Sequence, residues 1–298
     1  SIKAIPLLCT SRQTTYIRPQ PSMVADQSDN PLSASQPLQA FDFIPDTNRP
    51  FVVSFTLDLD SNVLSLSFNE TVDASTIIPA NIYVQPSANS SALVSLTGSM
   101  VNSTSGQVQS LIIGFTALNS IKAVPSLTSF AFLSLTSAAL NDTSANRVIA
   151  INSTSALGAS SIAKDNTSPS LSGVTFDLNT GALIFTYSEV VDFTSINYTA
   201  ITLLLGPTQY TLTGGSLISN MNSYIMNVSL TFDDLNAAKA LGISATYALS
   251  ITAGMVQDIA GNTLPVIATI GGAFISDRTS PTLMSFDLLM VQGLEPLL

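Results

Sequence analysis

Asp165-Asn-Thr-Ser-Pro169 repeats Asp46-Thr-Asn-Arg-Pro50 at an offset of 119 residues, and the register holds through the next strands. Phe55 falls on Val174, Leu57 on Phe176, Asp58 on Asp177, Leu64 on Leu183 and Phe68 on Tyr187. Glu70-Thr-Val-Asp73 then lands on Glu189-Val-Val-Asp192. Further along the offset shrinks. Leu118-Asn-Ser-Ile-Lys122 matches Leu235-Asn-Ala-Ala-Lys239 at 117, and Leu133-Ser-Leu-Thr136 matches Leu249-Ser-Ile-Thr252 at 116. Asn141-Asp-Thr-Ser-Ala-Asn146 matches Gln257-Asp-Ile-Ala-Gly-Asn262, also at 116. Drift of this size is what differences in loop length leave between two copies of one fold.

Each copy reads as all-β. Leu57-Asp-Leu-Asp60, Leu64-Ser-Leu-Ser-Phe68, Leu183-Ile-Phe-Thr-Tyr187 and Asn227-Val-Ser-Leu-Thr-Phe232 are short, and several alternate apolar with polar residues. Asn179-Thr-Gly181 and Thr213-Gly-Gly215 supply turns in which positive φ is expected. In Asn227–Phe232, the alternation points Val228, Leu230 and Phe232 inward and Asn227, Ser229 and Thr231 outward. The one helical stretch is Asp233-Asp-Leu-Asn-Ala-Ala-Lys239, with an Asp as its expected N-cap. About seven short strands per copy predict two tandem Ig-like Greek-key β-sandwiches. The expected organisation is an extended Pro-rich arm at 1–48, repeat 1 at 49–165, repeat 2 at 166–277 and a partial third repeat at 278–298.

Composition sets the surface. Of 298 residues, 46% are hydrophobic and only 9% are charged, while about a quarter are Ser or Thr. Hydroxyls and amides must therefore cover the exterior, either shielded by glycans or buried against neighbouring subunits. With net charge −10 and nine Lys and Arg in no cluster, nucleic acid is not an expected partner. Membrane insertion is not expected either, because no apolar run reaches the length of a spanning helix. Val266–Ile275 instead reads as a strand with a turn. Cys9 is the only cysteine, read either as a small buried hydrophobe or as an intermolecular bridge.

The chain has no His, which excludes Ser-His-Asp and Cys-His catalysis, and its single Cys excludes thiolate zinc sites. Carboxylates remain. Glu189 with Asp192 recurs as Glu70 with Asp73, so the pair is expected to belong to the fold, accepting backbone N–H bonds at a strand end. No catalytic or cofactor-binding residue is assigned, and the chain is not expected to be an enzyme. Calcium is the one cofactor for which the sequence leaves room: Asp58, Asp60 and Asn62 alternate, and Asp165 and Asp277 sit at linkers. The twelve-residue loop pattern is missing, so no metal ligand is assigned.

Phe185-Thr-Tyr-Ser-Glu-Val-Val-Asp192, followed by Ile251-Thr-Ala-Gly-Met-Val-Gln-Asp-Ile-Ala-Gly-Asn262, resembles the Ig-like repeat of S-layer and adhesin proteins. Related tandem repeats occur in large secreted surface proteins of protists and algae. The resemblance covers roughly residues 50 to 275 and implies scaffold, adhesion or assembly roles and no chemistry. The first copy departs from it, with Ser144-Ala-Asn146 where the second has Ala260-Gly-Asn262.

Past the second copy, Asp277-Arg-Thr-Ser-Pro281 repeats the linker, and Leu283, Met284, Phe286, Leu288 and Met290 repeat the first strand. Pro37-Leu-Gln-Ala-Phe-Asp-Phe43 occupies the place of a last strand before Asp46. Lone strands leave backbone groups and apolar side chains to be paired. Strand exchange between copies would meet that need and build a homopolymer; trimming from a longer array would equally leave such stumps. Eight Asn-x-Ser/Thr sequons at Asn69, Asn89, Asn102, Asn141, Asn152, Asn166, Asn197 and Asn227 mark expected N-glycosylation, and the Ser/Thr- and Pro-rich stretches could carry O-linked sugar. The expected function is a structural subunit of an extracellular glycosylated filament, appendage or coat. The alternative is a stalk or adhesin fragment at the cell surface, with Tyr16-Ile-Arg-Pro19 as a candidate tip.

Overall fold

The computed structural model describes residues 9, 11–33, 36–218 and 221–287. Alternation dictates the strands. In Val63–Val72, Leu64, Leu66 and Phe68 are buried while Ser65 and Ser67 look outward, so one face of the strand closes over a core. Burying side chains of this kind stabilises by about 1.5–3 kcal/mol each.

Ahead of repeat 1, β1 (Tyr16–Ile17) pairs antiparallel with β2 (Leu38–Gln39). Repeat 1 opens with β3 (Val52–Asp58), β4 (Val63–Val72), β5 (Ile82–Gln85) and β6 (Val94–Ser95). It continues with β7 (Met100–Val101), β8 (Gly106–Ile112), helix α1 (Phe115–Lys122), β9 (Phe132–Leu135), β10 (Leu157–Gly158) and β11 (Ser161–Ala163). Its sheets have the orders β11-β3-β4-β8-β7 and β10-β9-β5-β6.

Repeat 2 opens with β12 (Leu171–Asp177), β13 (Ala182–Asp192), β14 (Ile201–Leu205) and β15 (Thr208–Thr211). Next come β16 (Ser216–Leu217), β17 (Ser223–Ser229), helix α2 (Phe232–Ala240), β18 (Ala248–Ile251), β19 (Gln257–Asp258), β20 (Ile267–Ile270) and β21 (Ala273–Ile275). The orders β21-β12-β13-β17-β16 and β20-β18-β14-β15 reproduce those of repeat 1 strand for strand, with β19 added beside β13. The fold is therefore all-β, a pair of two-sheet Ig-like sandwiches, each with its own core.

In each sandwich the final segment changes sheets. β10 is antiparallel to β9 while β11 is parallel to β3, and likewise β20 pairs β18 while β21 runs parallel to β12. In repeat 2, Gly271 and Gly272 make the crossing. A Cβ on Gly272 would overlap the Val174 carbonyl, so glycine is needed there for space. The same need governs Gly215, which faces the Tyr198 ring. The positive φ expected of both Gly-containing turns is found at Gly181 and not in Thr213-Gly-Gly215.

Two local expectations are corrected. Helix α2 starts one residue early and its cap is Thr231, whose hydroxyl accepts from Asp234 N, not an Asp. Phe232 therefore leaves the strand alternation and is exposed, unlike buried Val228 and Leu230. Asp234 turns back instead, accepting from Thr213 N, Gly214 N and the Tyr210 hydroxyl. Cys9 is half-buried with a free thiol.

At the C-terminal side, residues 276–287 carry no strand, and Leu283, Met284 and Phe286 are 83%, 89% and 77% exposed. Leu288 and Met290 lie outside the described residues. Among the described residues no helix is long and apolar enough to cross a membrane.

A methyl group at Gly272 must push the Val174 carbonyl away. Gly272→Ala is expected to destabilise repeat 2 by about 1–3 kcal/mol, read as a lower midpoint of its urea transition, with repeat 1 unaffected.

Candidate functional site: the junction between repeats

The site grows from two strand ends. β13 outlasts its pairing with β12, and its end bridges the Asp258 loop through Val191. That brings Glu189 beside Asp258 and beside Asp165 at the end of the linker. The three carboxylates present oxygens all within 4.8 Å of one another, and all three residues are buried. Asn262 holds the set together: its amide donates to Asp258 Oδ2 at 2.7 Å and to the Asp165 carbonyl at 3.2 Å.

Three clustered carboxylates demand a cation, and repeat 1 delivers it. Lys122, in the last turn of α1, donates from Nζ to Asp165 Oδ2 at 2.6 Å and to Glu189 Oε2 at 2.7 Å. Only 8%, 3% and 8% of the Lys122, Asp165 and Glu189 side chains are exposed, so solvent screens little of this interaction. One turn earlier, Asn119 Oδ1 accepts from the Val190 backbone N–H at 2.6 Å. At the start of α1, the Phe115 ring meets Tyr224 edge-on, with centroids 5.2 Å apart. One face of α1 thus grips the neighbouring sandwich through an ion pair, a hydrogen bond and a ring contact.

The linker is held from its other side. The β3–β4 tip turns at Asn62, with φ 62°, where repeat 2 has Gly181 at 72°. Asp60 on this tip accepts from Asn166 N at 3.0 Å and from the Thr167 hydroxyl at 2.9 Å. The next linker repeats the contact, with Asn179 accepting from Arg278 N and the Thr279 hydroxyl at the same two distances. There too Lys239 of α2 reaches Asp277, at 2.8 Å and with about a third of each side chain open to solvent.

The electrostatics follow from burial. Desolvation opposes charge on Lys122, but hydrogen bonds and charges from Asp165 and Glu189 outweigh it and hold the ammonium's pKa above the ordinary lysine value. Desolvation pushes Glu189 up to about 7, against the pull of Lys122 and with help from Asp165. One ammonium faces more carboxylates than it can neutralise, and Glu189 is the one left close to holding a proton.

The residues singled out in the sequence separate here. Asp73 and Asp192 do accept backbone N–H bonds, from Ser75 and Thr194, at strand ends. Glu189 does not; its partner is Lys122. Asp58 accepts from the N–H groups of Asp60 and Ser61 in its own turn, and Asp60 holds the linker. Asp165 and Asp277, weighed as calcium ligands, are paired with lysines. Of the sequons, Asn69, Asn89, Asn102, Asn152, Asn166 and Asn197 are exposed, whereas Asn141 and Asn227 are half-buried. Asn227 keeps its Oδ1 buried between paired strands. The sequence signal for this junction is the recurrence of Lys122 as Lys239 in a chain with only four lysines.

Removing the cation leaves carboxylates buried without counter-charge. Lys122→Met is expected to destabilise the junction by about 3–5 kcal/mol, read as uncoupling of the two repeats' unfolding transitions. The pH dependence follows from Glu189, whose pKa rises from 4.5 unfolded to about 7 folded. Its contribution is complete below the unfolded value and is lost as pH rises through the folded one. Stability at the junction should therefore fall between about pH 4.5 and 7, and Glu189→Gln should flatten that slope in a series of thermal melts.

No family model matches the sequence, and no curated protein is significantly similar to it. Among solved structures, S-layer protein rSbsC(31-844) is similar at 14% identity and TM-score 0.26, covering 78% of this chain and 26% of that one. SbsC domains 1–6 give 13%, TM-score 0.27, and 80% and 27% coverage. The titin I-band fragment I67–I69 gives 7%, TM-score 0.22, and 76% and 65%. The chain spans about a quarter of the length of these S-layer chains. Its architecture rests on its own strand order and not on these likenesses.

Proposed function

We propose that this chain is a structural subunit of an extracellular filament, appendage or surface coat, in which Ig-like units act as stiff spacers. The observation that carries this reading is the buried Lys122–Asp165–Glu189 junction, which couples consecutive sandwiches where a flexible linker would leave them independent. Its counterpart at Lys239 and Asp277 favours a device used at successive joints. A surface of hydroxyls and amides with six exposed sequons suits a glycosylated extracellular material. The exposed Leu283, Met284 and Phe286 supply an apolar segment for contact between copies, through strand exchange or a related pairing. No chemistry is assigned to the chain.

A stalk or adhesin fragment is the second reading. It is favoured by an open groove on the arm lined by Arg12, Ile17, Leu38 and Phe41, beside the candidate tip at Tyr16.

Electron microscopy of the native glycosylated material, before and after removal of residues 282–298, separates the two. Filaments that vanish on truncation while both repeats still melt cooperatively support assembly through this segment. Filaments that persist would sink strand exchange, and dispersed rods in the untruncated material would favour the stalk.

A further inference from the structure

We propose that the groove over the outer face of β5 in repeat 1 seats an N-linked sugar, carried by Asn152 and stacked on the Tyr83 ring. The inference rests on the reading of the chain as a glycosylated extracellular subunit, and it assigns a place to one of the sugars. The groove has a volume of about 360 Å³, and Tyr83, Leu93, Ser134, Thr136 and Asn152 are among its walls. Strand alternation sends Ile82 and Val84 into the core and turns Tyr83 outward, between Ser134 of β9 and Ser95 of β6. Asn152 reaches the same groove because Ile151 bridges Leu135, each backbone N–H donating to the other's carbonyl at 3.0 Å. Gln85, fully buried, locks the next residue in place. Its amide donates to the Ser153 carbonyl at 2.7 Å, and its Oε1 accepts from the Ser134 hydroxyl at 2.8 Å. Asn152 is thereby held exposed at the rim, in the sequon Asn152-Ser-Thr154, whose Thr154 is exposed as well.

The second repeat points to the ligand. At the corresponding places it has Thr202 for Tyr83, Leu204 for Gln85 and Ala268 for Asn152. The backbone there is the same. Ile201 lies opposite Ile251 and Ile251 opposite Ile267, as Ile82 lies opposite Leu135 and Leu135 opposite Ile151. Thr202 is paired instead with the Thr211 hydroxyl across the strands, at 2.9 Å. The outward ring, the buried anchor and the sequon thus occur together in one copy and are replaced together in the other. A pyranose suits the walls that result. The C–H bonds on one face of the sugar meet the electron-rich face of the tyrosine ring, and its hydroxyls meet Ser and Thr hydroxyls that both donate and accept. Attachment at the rim makes the contact intramolecular, so a weak attraction between sugar and ring is enough to populate it. The sugar also covers Leu93, which is 41% exposed.

The test is glycopeptide mapping of the native material, followed by NMR and hydrogen exchange on the secreted full chain. Mapping should find Asn152 occupied. Nuclear Overhauser contacts should join its first sugar to the Tyr83 ring, and should survive enzymatic trimming of the glycan to that one sugar. Thr154→Ala removes the sequon and leaves every groove residue in place, so its effect is not lost packing. It should speed exchange of the Ile151 amide by on the order of tenfold. Tyr83→Ser should speed it too, but by less when Thr154→Ala is already present. Sugar on other sequons and none on Asn152 overturns the inference while leaving the glycosylated-coat reading standing; no sugar on any sequon overturns both. An occupied Asn152 whose sugar never touches Tyr83, or equal effects of Tyr83→Ser with and without the sequon, also overturns it.

Discussion

A single ammonium group, Lys122 Nζ, stands between two sandwiches and is the counter-charge for carboxylates belonging to the linker and to repeat 2. Nothing else described at the boundary carries so steep a penalty for misalignment. If one unit rotates away from the other, Asp165 and Glu189 are left desolvated without a partner. Apolar contacts would tolerate sliding; a buried ammonium that must stay within reach of two carboxylates does not. The physical contribution of the staple is therefore orientation more than net stability, since desolvation consumes much of what the ion pair returns.

The surrounding contacts make sense as supports for that one atom. Asn119 fixes the α1 backbone turn against Val190, and Phe115 anchors its first residue against Tyr224. Asn262 positions two of the carboxyl-bearing segments, and the Asp60 tip pins Asn166 and Thr167 immediately after Asp165. Helix α2 carries Phe232, Asn236 and Lys239 in the positions of Phe115, Asn119 and Lys122. Phe232 and Asn236 are exposed there, so the same gripping face is offered at the far side of repeat 2. A chain with few charges has placed several of them at its joints.

This also accounts for the acidic balance. Carboxylates outnumber cations 19 to nine, yet those nearest the joints are paired or turn-capping and do not form an open acidic surface. Glu189, raised to about 7 by burial, is the joint's most pH-sensitive group. The joint is therefore most stable on the acid side of neutrality.

Much of this was written in the sequence, because strand alternation and turn chemistry are local and repeat at a fixed spacing. Leu64, Leu66 and Phe68 declare a buried face, and the offset of 119 aligns it with Leu183, Phe185 and Tyr187. Even the recurring Lys122 and Lys239 were visible as matched letters. What the letters could not carry was distance. Lys122 and Glu189 are 67 residues apart, and only the way α1 abuts the end of β13 makes them neighbours. Phe232 likewise continues the strand pattern on paper, but the Thr231 cap turns the chain into a helix and leaves the ring outside. Local periodicity determined the two sandwiches; tertiary packing alone decided that they meet through a buried charge, because desolvation depends on what surrounds a group in space.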